Sequence, residues 1–348
     1  MDIKNLQGSL SSYSPEKLLL HSDKIKKILN DTPAYPITFT IDFTNVCNQN
    51  CDFCLNAKQR KTFCTEIPFE KIKDILELSV KLGIKGIKVA GGGEPLLHSR
   101  IIDIFNLMRN YDLDYALTTN GTAFTDETIK ASKNLFKYIN ISCETFDADE
   151  YQKIRKVDLV KILQSNIKKL CSINDNPVNL GLLVHPYAYK RILRTVKIAK
   201  ELGITDILIK PLAFNDDYSY SLGDIDFDIL ENNLNEAETL GAKISRNRAE
   251  KNYKAKFPYK ECRAVHLGGV WGADGFFHIC CDRRNDKLYL FNFFKNSVKD
   301  FTNYWGGEEH MKLVKSINPS RDCPRCTYNQ YNKYLDDLTK TNILENLI

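Results

Sequence analysis

Ile37-Thr38-Phe39-Thr40-Ile41-Asp42-Phe43-Thr44-Asn45-Val46-Cys47-Asn48-Gln49-Asn50-Cys51-Asp52-Phe53-Cys54 is the stretch that decides the fold. Its first seven residues are mostly β-branched or aromatic and read as a strand. Its last eight place three thiols in the loop that follows, with three residues and then two between them. Thiolates that close together can converge on one soft metal centre. Zinc sites usually pair cysteines by two to four residues and ask for four ligands. The ferredoxin spacings, two-two-three and four-two, do not match either. Three protein ligands on a four-iron cluster would leave one iron open to an exogenous ligand, and that open iron is the chemical point.

Outward from this stretch, strands and helices alternate. Phe69, Ile72, Ile75, Leu76 and Leu82 recur at helical spacing, and Gly83 supplies a stop. Strands are expected at 86–90, 114–118, 138–142, 178–184 and 206–210, with helices at 99–109, 126–135, 150–171 and 189–202. Lys81-Leu82-Gly83-Ile84 and Glu201-Leu202-Gly203-Ile204 both close a helix with Gly and open a strand, the mark of βα units and a parallel sheet. Six such strands fall short of an eight-unit barrel. The expected fold class is α/β: a partial (β/α)6 TIM-like barrel with a small C-terminal α+β cluster-binding domain. Residues 1–36 form a leader with an amphipathic helix at 16–29, 37–215 the barrel core and 216–255 a connecting helix. Residues 256–348 form the C-terminal domain, with a hairpin at 268–281 turning at Ala273-Asp274-Gly275 and helical segments beyond.

Composition limits the setting. The 348 residues are 43% hydrophobic and 27% charged, too apolar for a disordered chain. A net charge of +5 with scattered lysines gives no reason to invoke nucleic acid. No apolar run approaches the ~18 residues of a membrane span, and the N-terminus lacks the basic-then-apolar order of a secretory signal. A soluble, cytoplasmic protein is expected. Eleven cysteines without an export signal are then metal ligands or catalysts rather than disulfides.

The cysteine loop resembles the CxxxCxxC signature of radical S-adenosylmethionine (SAM) enzymes, with Phe53 just before the third cysteine. Gly91-Gly92-Gly93-Glu94-Pro95, at the end of the second strand, is similar to that family's GGEP, which contacts the methionine amino group. Thr118-Thr119-Asn120-Gly121 ends the third strand as the family's TNG often does. Ser142-Cys143-Glu144, followed by the run from Glu150 to Arg155, looks like the family's fourth strand and helix, where Ser-Leu-Asp is commoner. The resemblance implies a [4Fe-4S] cluster on Cys47, Cys51 and Cys54 with its open site for SAM. Phe53, Gly92, Gly93, Glu94, Asn120, Ser142 and Arg155 would then surround SAM. All of these except Arg155 fall at or just after the C-terminal ends of expected parallel strands, the face that carries chemistry in βα barrels.

A second cysteine set follows: Cys262, twelve residues, Gly275, four residues, Cys280, then Cys323-Pro-Arg-Cys326. On local chemistry, zinc ribbon and iron–sulfur cluster both fit. The arrangement resembles the twitch domain, the short SPASM-type extension, which implies one auxiliary [4Fe-4S] cluster held by all four. Cys280 and Cys281 are adjacent in an expected strand and point to opposite faces; the Gly-x4-Cys spacing favours Cys280. Cys281 is then either a small packed side chain or a hydrogen-atom donor. Cys64 and Cys171 are taken as incidental, and the role of Cys143 stays open.

The resemblance implies reductive cleavage of SAM to methionine and a 5′-deoxyadenosyl radical, which abstracts hydrogen from a substrate. It also implies an electron donor such as flavodoxin or ferredoxin. Glu144, His185, Tyr187, Lys210 and Arg283 are candidate proton acceptors by position. The first reading of the substrate is a small alcohol or sugar-like molecule undergoing oxidation or epimerisation, because residues 1–36 are too few for a leader-binding winged-helix module. The second is epimerisation or crosslinking of a ribosomal peptide. A third, from another class, is a zinc-stabilised binding module without redox chemistry. No nucleic-acid or membrane partner is expected.

Overall fold

β1 (Thr38–Asp42) lies within the expected first strand, and β2 (Gly86–Ala90), β4 (Tyr138–Ser142) and β5 (Val178–Val184) form on the expected residues. β3 (Asp114–Thr119) and β6 (Ile207–Pro211) differ from expectation by a residue. The structure is a computed structural model that describes residues 15–62, 64–211, 225–244, 257–284, 288–323 and 326–340. Both expected boundaries of the connecting segment, near 216 and 255, lie outside the described residues.

Four more strands complete the sheet: β7 (Lys243–Ile244), β8 (Gly268–Trp271), β9 (Phe276–His278) and β10 (Tyr289–Asn292). Their order is β10-β9-β8-β1-β2-β3-β4-β5-β6-β7. Every pairing from β8 through β7 is parallel, while the β8–β9 and β9–β10 pairings are antiparallel. Among the described residues the sheet does not close, so this is a partial barrel. The expected hairpin is present, but its first arm also docks in parallel on β1, pairing Thr38 with Gly268 and Ile41 with Trp271. β7, two residues long, is too short to leave a periodic signal.

Alternation along strands separates two faces. On one, Phe39 meets Trp271, Phe277 and Phe301, and Ile41 lies in register with Trp271; the Phe39–Trp271 and Phe39–Phe301 rings lie edge to face at 5.7 and 5.5 Å. These belong to the same buried core as Leu117, Ile139 and Leu182 of the later strands. Each such side chain contributes roughly 1.5–3 kcal/mol by burial. The other face lines the lumen and is mixed: register pairs Thr40 with Lys88, Thr118 with Asn140, and Asn140 with Asn179, while Val270, Leu183 and Leu208 lie on the same face. Asp42, Ser142, Lys210 and His278 share that face.

Two local expectations change, the helix at 150–171 and the strand position of Cys280 and Cys281. The helix is two, Ala148–Arg155 and Val160–Ile173, because Lys156 turns left-handed at φ 62°. Cys280 and Cys281 follow β9 rather than lying in it. Beyond the hairpin, the helical stretch expected over 298–317, with its internal Gly306-Gly307, forms as Phe301–Tyr304 and Glu308–Ser316 on either side of Gly306, at φ 84°. Among the described residues before β1 are a short 3-10 turn (Pro15–His21) and a helix (Ser22–Leu29); Leu18, Ile25 and Ile28 pack with Ala264, Leu267 and Leu335. Among the described residues no helix is long and apolar enough to cross a membrane.

Candidate active site

The loop that carries Cys47, Cys51 and Cys54 leaves β1 and is stitched to the Gly-rich turn after β2. Gly93 N–H donates to the Thr44 carbonyl and Glu94 N–H to the Val46 carbonyl, both at 2.8 Å. A Cβ on Gly93 would sit 2.0 Å from the Val46 oxygen, and one on Gly92 would sit 1.8 Å from Asn45 Oδ1. These glycines therefore let two loops lie against each other. The Glu94 carboxylate, 2% exposed, accepts from Thr119 Oγ1 at 2.6 Å and from the Asn120 N–H at 2.7 Å. Burial pushes it above the ordinary carboxylate range, against these bonds. Asn120 in turn donates to Asn48 Oδ1 at 2.9 Å and faces Cys47 Sγ at 3.9 Å. One hydrogen-bonded frame thus joins the ends of β1, β2 and β3.

Two guanidinium groups surround the three thiols. Arg60 reaches Cys54 Sγ at 3.6 Å and the Gln49 carbonyl at 2.8 Å. Arg155 is buried and holds both oxygens of Glu144, at 2.7 and 2.9 Å. It also donates to the Ser142 carbonyl at 2.8 Å and to Gln49 Oε1 at 2.9 Å, and its guanidinium lies 5.6 Å from the Phe53 ring centroid. Glu144 is thereby engaged as an ion-pair partner. Burial pushes the Cys51 thiol up to about 12, with Arg155 opposing it. Metal ligation needs the thiolate, and these cations offset the cost of forming it.

The second set converges as well. Cys262, Cys280, Cys323 and Cys326 line one cavity with Val265, Ile279, Leu288, Ile317 and Tyr328; Cys281 is not among its lining residues. Asn332, 1% exposed, aims its amide at Cys262 Sγ (3.5 Å) and Cys326 Sγ (3.9 Å) while accepting from Ala264 N–H at 2.8 Å. Among the described residues no three His, Cys, Asp or Glu side chains are arranged to hold a single metal ion. The fit to iron–sulfur groups rests on the donors: thiols in sets of three and four, with N–H groups directed at sulfur, as such clusters use.

Between the two sets lies a constellation that sequence reasoning missed. Asp42, at the end of β1, pairs with Arg284, and both side chains are under a tenth exposed. Asp274 accepts from His278 Nε2 at 2.9 Å and from Gln59 of the helix that follows the cysteine loop. Burial pushes the Asp42 carboxyl up, while Arg284 and His278 pull it down. Burial also acts on Asp274, but its bonds to His278, Phe276 N–H and Gln59 hold it below the carboxylate range. Asp42 Oδ1, Arg284 Nε and His278 Nδ1 have no hydrogen-bond partner among the described residues, and each such buried atom costs about 1–3 kcal/mol. Sequence separations of up to 242 residues hid these pairs. Arg60 and Asn332 were also missed; the basic stretch after the cysteine loop was the one available signal.

The remaining candidates are scattered. His185 is fully buried, 3.3 Å from Asp52 Oδ1, with its ring 6.0 Å from Phe53. Tyr187 is exposed with Lys153 over its ring, and Lys210 pairs with Leu183 on the lumen face of β6. Arg283 lines the second thiol cavity. Cys143 is buried, donates to the Thr145 carbonyl at 3.0 Å, and is pushed up to about 12 by burial. Cys64 is exposed and Cys171 half-buried.

With this geometry in place, comparison with known proteins is informative. The chain is 32% identical over 158 residues to the probable GTP 3′,8-cyclase of Pyrococcus abyssi, covering 45% of this chain and 51% of that protein. It is 31% identical over 148 residues to the GTP 3′,8-cyclase of Alkaliphilus oremlandii, covering 41% and 46%. The chain thus spans about half the length of the curated relatives it matches. Among solved structures, Streptococcus suis SuiB bound to S-adenosylmethionine superposes with TM-score 0.63 at 16% identity, over 89% of this chain and 73% of that one. Native anSMEcpe with bound AdoMet gives 0.61 at 17% identity, over 86% and 88%. At such identities the likeness is one of fold. The sequence pattern of the Radical SAM superfamily matches residues 41–217, just over half the chain and the whole run from the cysteine loop to β6, so the protein belongs to that superfamily, whose members use a [4Fe-4S] cluster and SAM.

Proposed function

We propose that the chain abstracts a hydrogen atom from a small hydroxyl-bearing molecule, of alcohol or sugar type, and thereby oxidises or epimerises it. When bound, the cluster and SAM supply the electron and the 5′-deoxyadenosyl radical for that abstraction. One observation carries the reading: the three-thiol loop and the Gly-rich turn are locked together at one end of a sheet face that sets Thr40, Asp42, Lys88, Thr118, Asn140, Asn179 and Lys210 among small and apolar side chains. Cys47, Cys51 and Cys54 hold the first cluster, with Arg60 and Arg155 balancing its charge. The Gly92–Gly93 backbone, Glu94, Asn120, Ser142 and Phe53 orient SAM. Cys262, Cys280, Cys323 and Cys326 hold an auxiliary [4Fe-4S] cluster in a C-terminal domain of twitch type. Lys210 serves proton transfer on the lumen face, and Glu144 positions Arg155. Where the outcome is epimerisation, the neutral Cys281 thiol would donate a hydrogen atom, and its thiyl radical would regain an electron from the auxiliary cluster and a proton from solvent. Where it is oxidation, the substrate radical's electron would pass to that cluster instead.

Structural neighbours favour a second reading, peptide modification, since SuiB has been solved bound to precursor peptide SuiA. The two GTP cyclases compared above match less than half of this chain. Anaerobic reconstitution with iron and sulfide, followed by reduction in the presence of SAM, tests the shared part: brown protein with about eight irons that forms 5′-deoxyadenosine is expected. Colourless, zinc-loaded protein overturns both readings in favour of a zinc-stabilised module. Oxidation predicts a product lighter by two hydrogens; epimerisation predicts one solvent deuterium in heavy water.

A further inference from the structure

The lumen contains a built polar site that neither thiol set explains. The Asp42 carboxylate meets Arg284 through Oδ2, and among the described residues Oδ1 has no donor and Arg284 Nε no acceptor. His278 spends Nε2 on Asp274, and its Nδ1 has no partner among the described residues, at 2% exposure. All three atoms are buried, and the groups sense one another's charge. The site borders the SAM end of the molecule, since a Cβ on Gly92 would stand 3.7 Å from Asp42 Oδ2. It also touches the cysteine-loop helix through Gln59.

The unmet atoms define a ligand. A carboxylate oxygen asks for a donor and a guanidinium N–H for an acceptor, and a hydroxyl group is both at once. The neighbouring imidazole nitrogen can donate to or accept from a second hydroxyl. Charge selects further: Lys88 and Lys210 share the lumen face, but in the immediate site two buried carboxylates, Asp42 and Asp274, stand beside one guanidinium, which favours a neutral ligand over a triphosphate. We propose that Asp42 and Arg284 form the specificity pair that holds a hydroxyl of a neutral polyhydroxyl substrate, with His278, steered by Asp274, taking a second. This rests on the function proposed above and names the residues that read its substrate class.

The test uses reconstituted, full-length protein with SAM and reductant, and a panel of neutral aldoses, alditols and cyclitols beside GTP and a synthetic peptide pool. The expected result is conversion of a panel member by the wild type. Asp42→Asn/Arg284→Gln, which removes both charges and strands neither, should raise the KM for that compound at least tenfold more than the KM for SAM. If the two KM values move together, the pair belongs to the SAM pocket or to packing; the inference is overturned while the proposed function stands. Conversion of GTP or peptides alone, or of no panel member, overturns both. Should the double variant not retain its iron, His278→Gln decides: at least a threefold rise in the KM for the panel compound is expected, and no change overturns the proposal.

Discussion

The two thiol sets share one donor chemistry in two settings. Cys47, Cys51 and Cys54 sit in a loop with Arg60 and Arg155 close by, and the side-chain amides of Gln49 and Asn120 complete a polar frame around them. Cys262, Cys280, Cys323 and Cys326 line a cavity whose walls include Val265, Ile279, Leu288 and Ile317 together with Asp282 and Arg283; Arg283 hydrogen-bonds Cys323, and the neutral amide of Asn332 is directed at two of the sulfurs. Nearby cations and N–H donors stabilise a cluster's reduced, more negative state, and apolar enclosure disfavours it. On the proposed assignment, two guanidinium groups at the first set against one, Arg283, beside the Asp282 carboxylate at the second would make the first cluster the more readily reduced.

The largest effect that can break this contrast comes from the thiols themselves. Cys51→Ala is expected to lower 5′-deoxyadenosine formation by at least about 10³-fold, in line with losing the group that carries the chemistry. Cys326→Ala should leave that reaction measurable but abolish substrate conversion; product analysis by mass spectrometry separates the two. Equal losses would mean that the sets do not divide the work.

Next come the cations. Arg155→Met strands the buried Glu144 and should destabilise the fold by about 3–5 kcal/mol in chemical denaturation. Arg60→Met removes a half-exposed partner and should cost under about 1 kcal/mol of stability, while lowering the midpoint potential of the first cluster in a redox titration followed by electron paramagnetic resonance. The second cluster's potential should not follow it.

A smaller, pH-dependent effect belongs to the C-terminal region. Burial pushes His266 down to about 4 and His310 to about 3, with ring centroids 5.7 Å apart. The unfolded chain binds protons on these groups from about pH 6.5 downwards, where the folded chain does not. Stability is therefore present above pH 6.5 and is lost as pH falls towards 4, by up to ~1.4 kcal/mol per pH unit per histidine. Denaturation midpoints between pH 7 and 5 check this, and His310→Phe should flatten the slope. Smallest of all, the exposed Cys64→Ser should stay within about 0.5 kcal/mol of the wild type.

Much of the fold was legible because its signals are short-range. Gly83 and Gly203 take φ of 66° and 96° at the helix–strand junctions, where a residue without Cβ is favoured. β2, β4 and β5 form where β-branched runs lie between such punctuation. The helix break at Lys156 was not legible, since nothing in its composition marks a lysine for a left-handed turn. The docking of β8 on β1 also escaped, because a hairpin arm reads the same whether its outer edge is free or paired.

By itself, then, the sequence determined the βα repeat, the cysteine spacings and the glycine turn, all set by neighbours within a few residues. Tertiary structure decided which distant groups meet: Arg155 with Glu144 and Gln49, Asn332 with Cys262 and Cys326, Asp42 with Arg284. The physical reason is that a buried charge or amide is defined by the partner that satisfies it, and each of these residues looks ordinary until the sheet brings its partner within hydrogen-bonding distance.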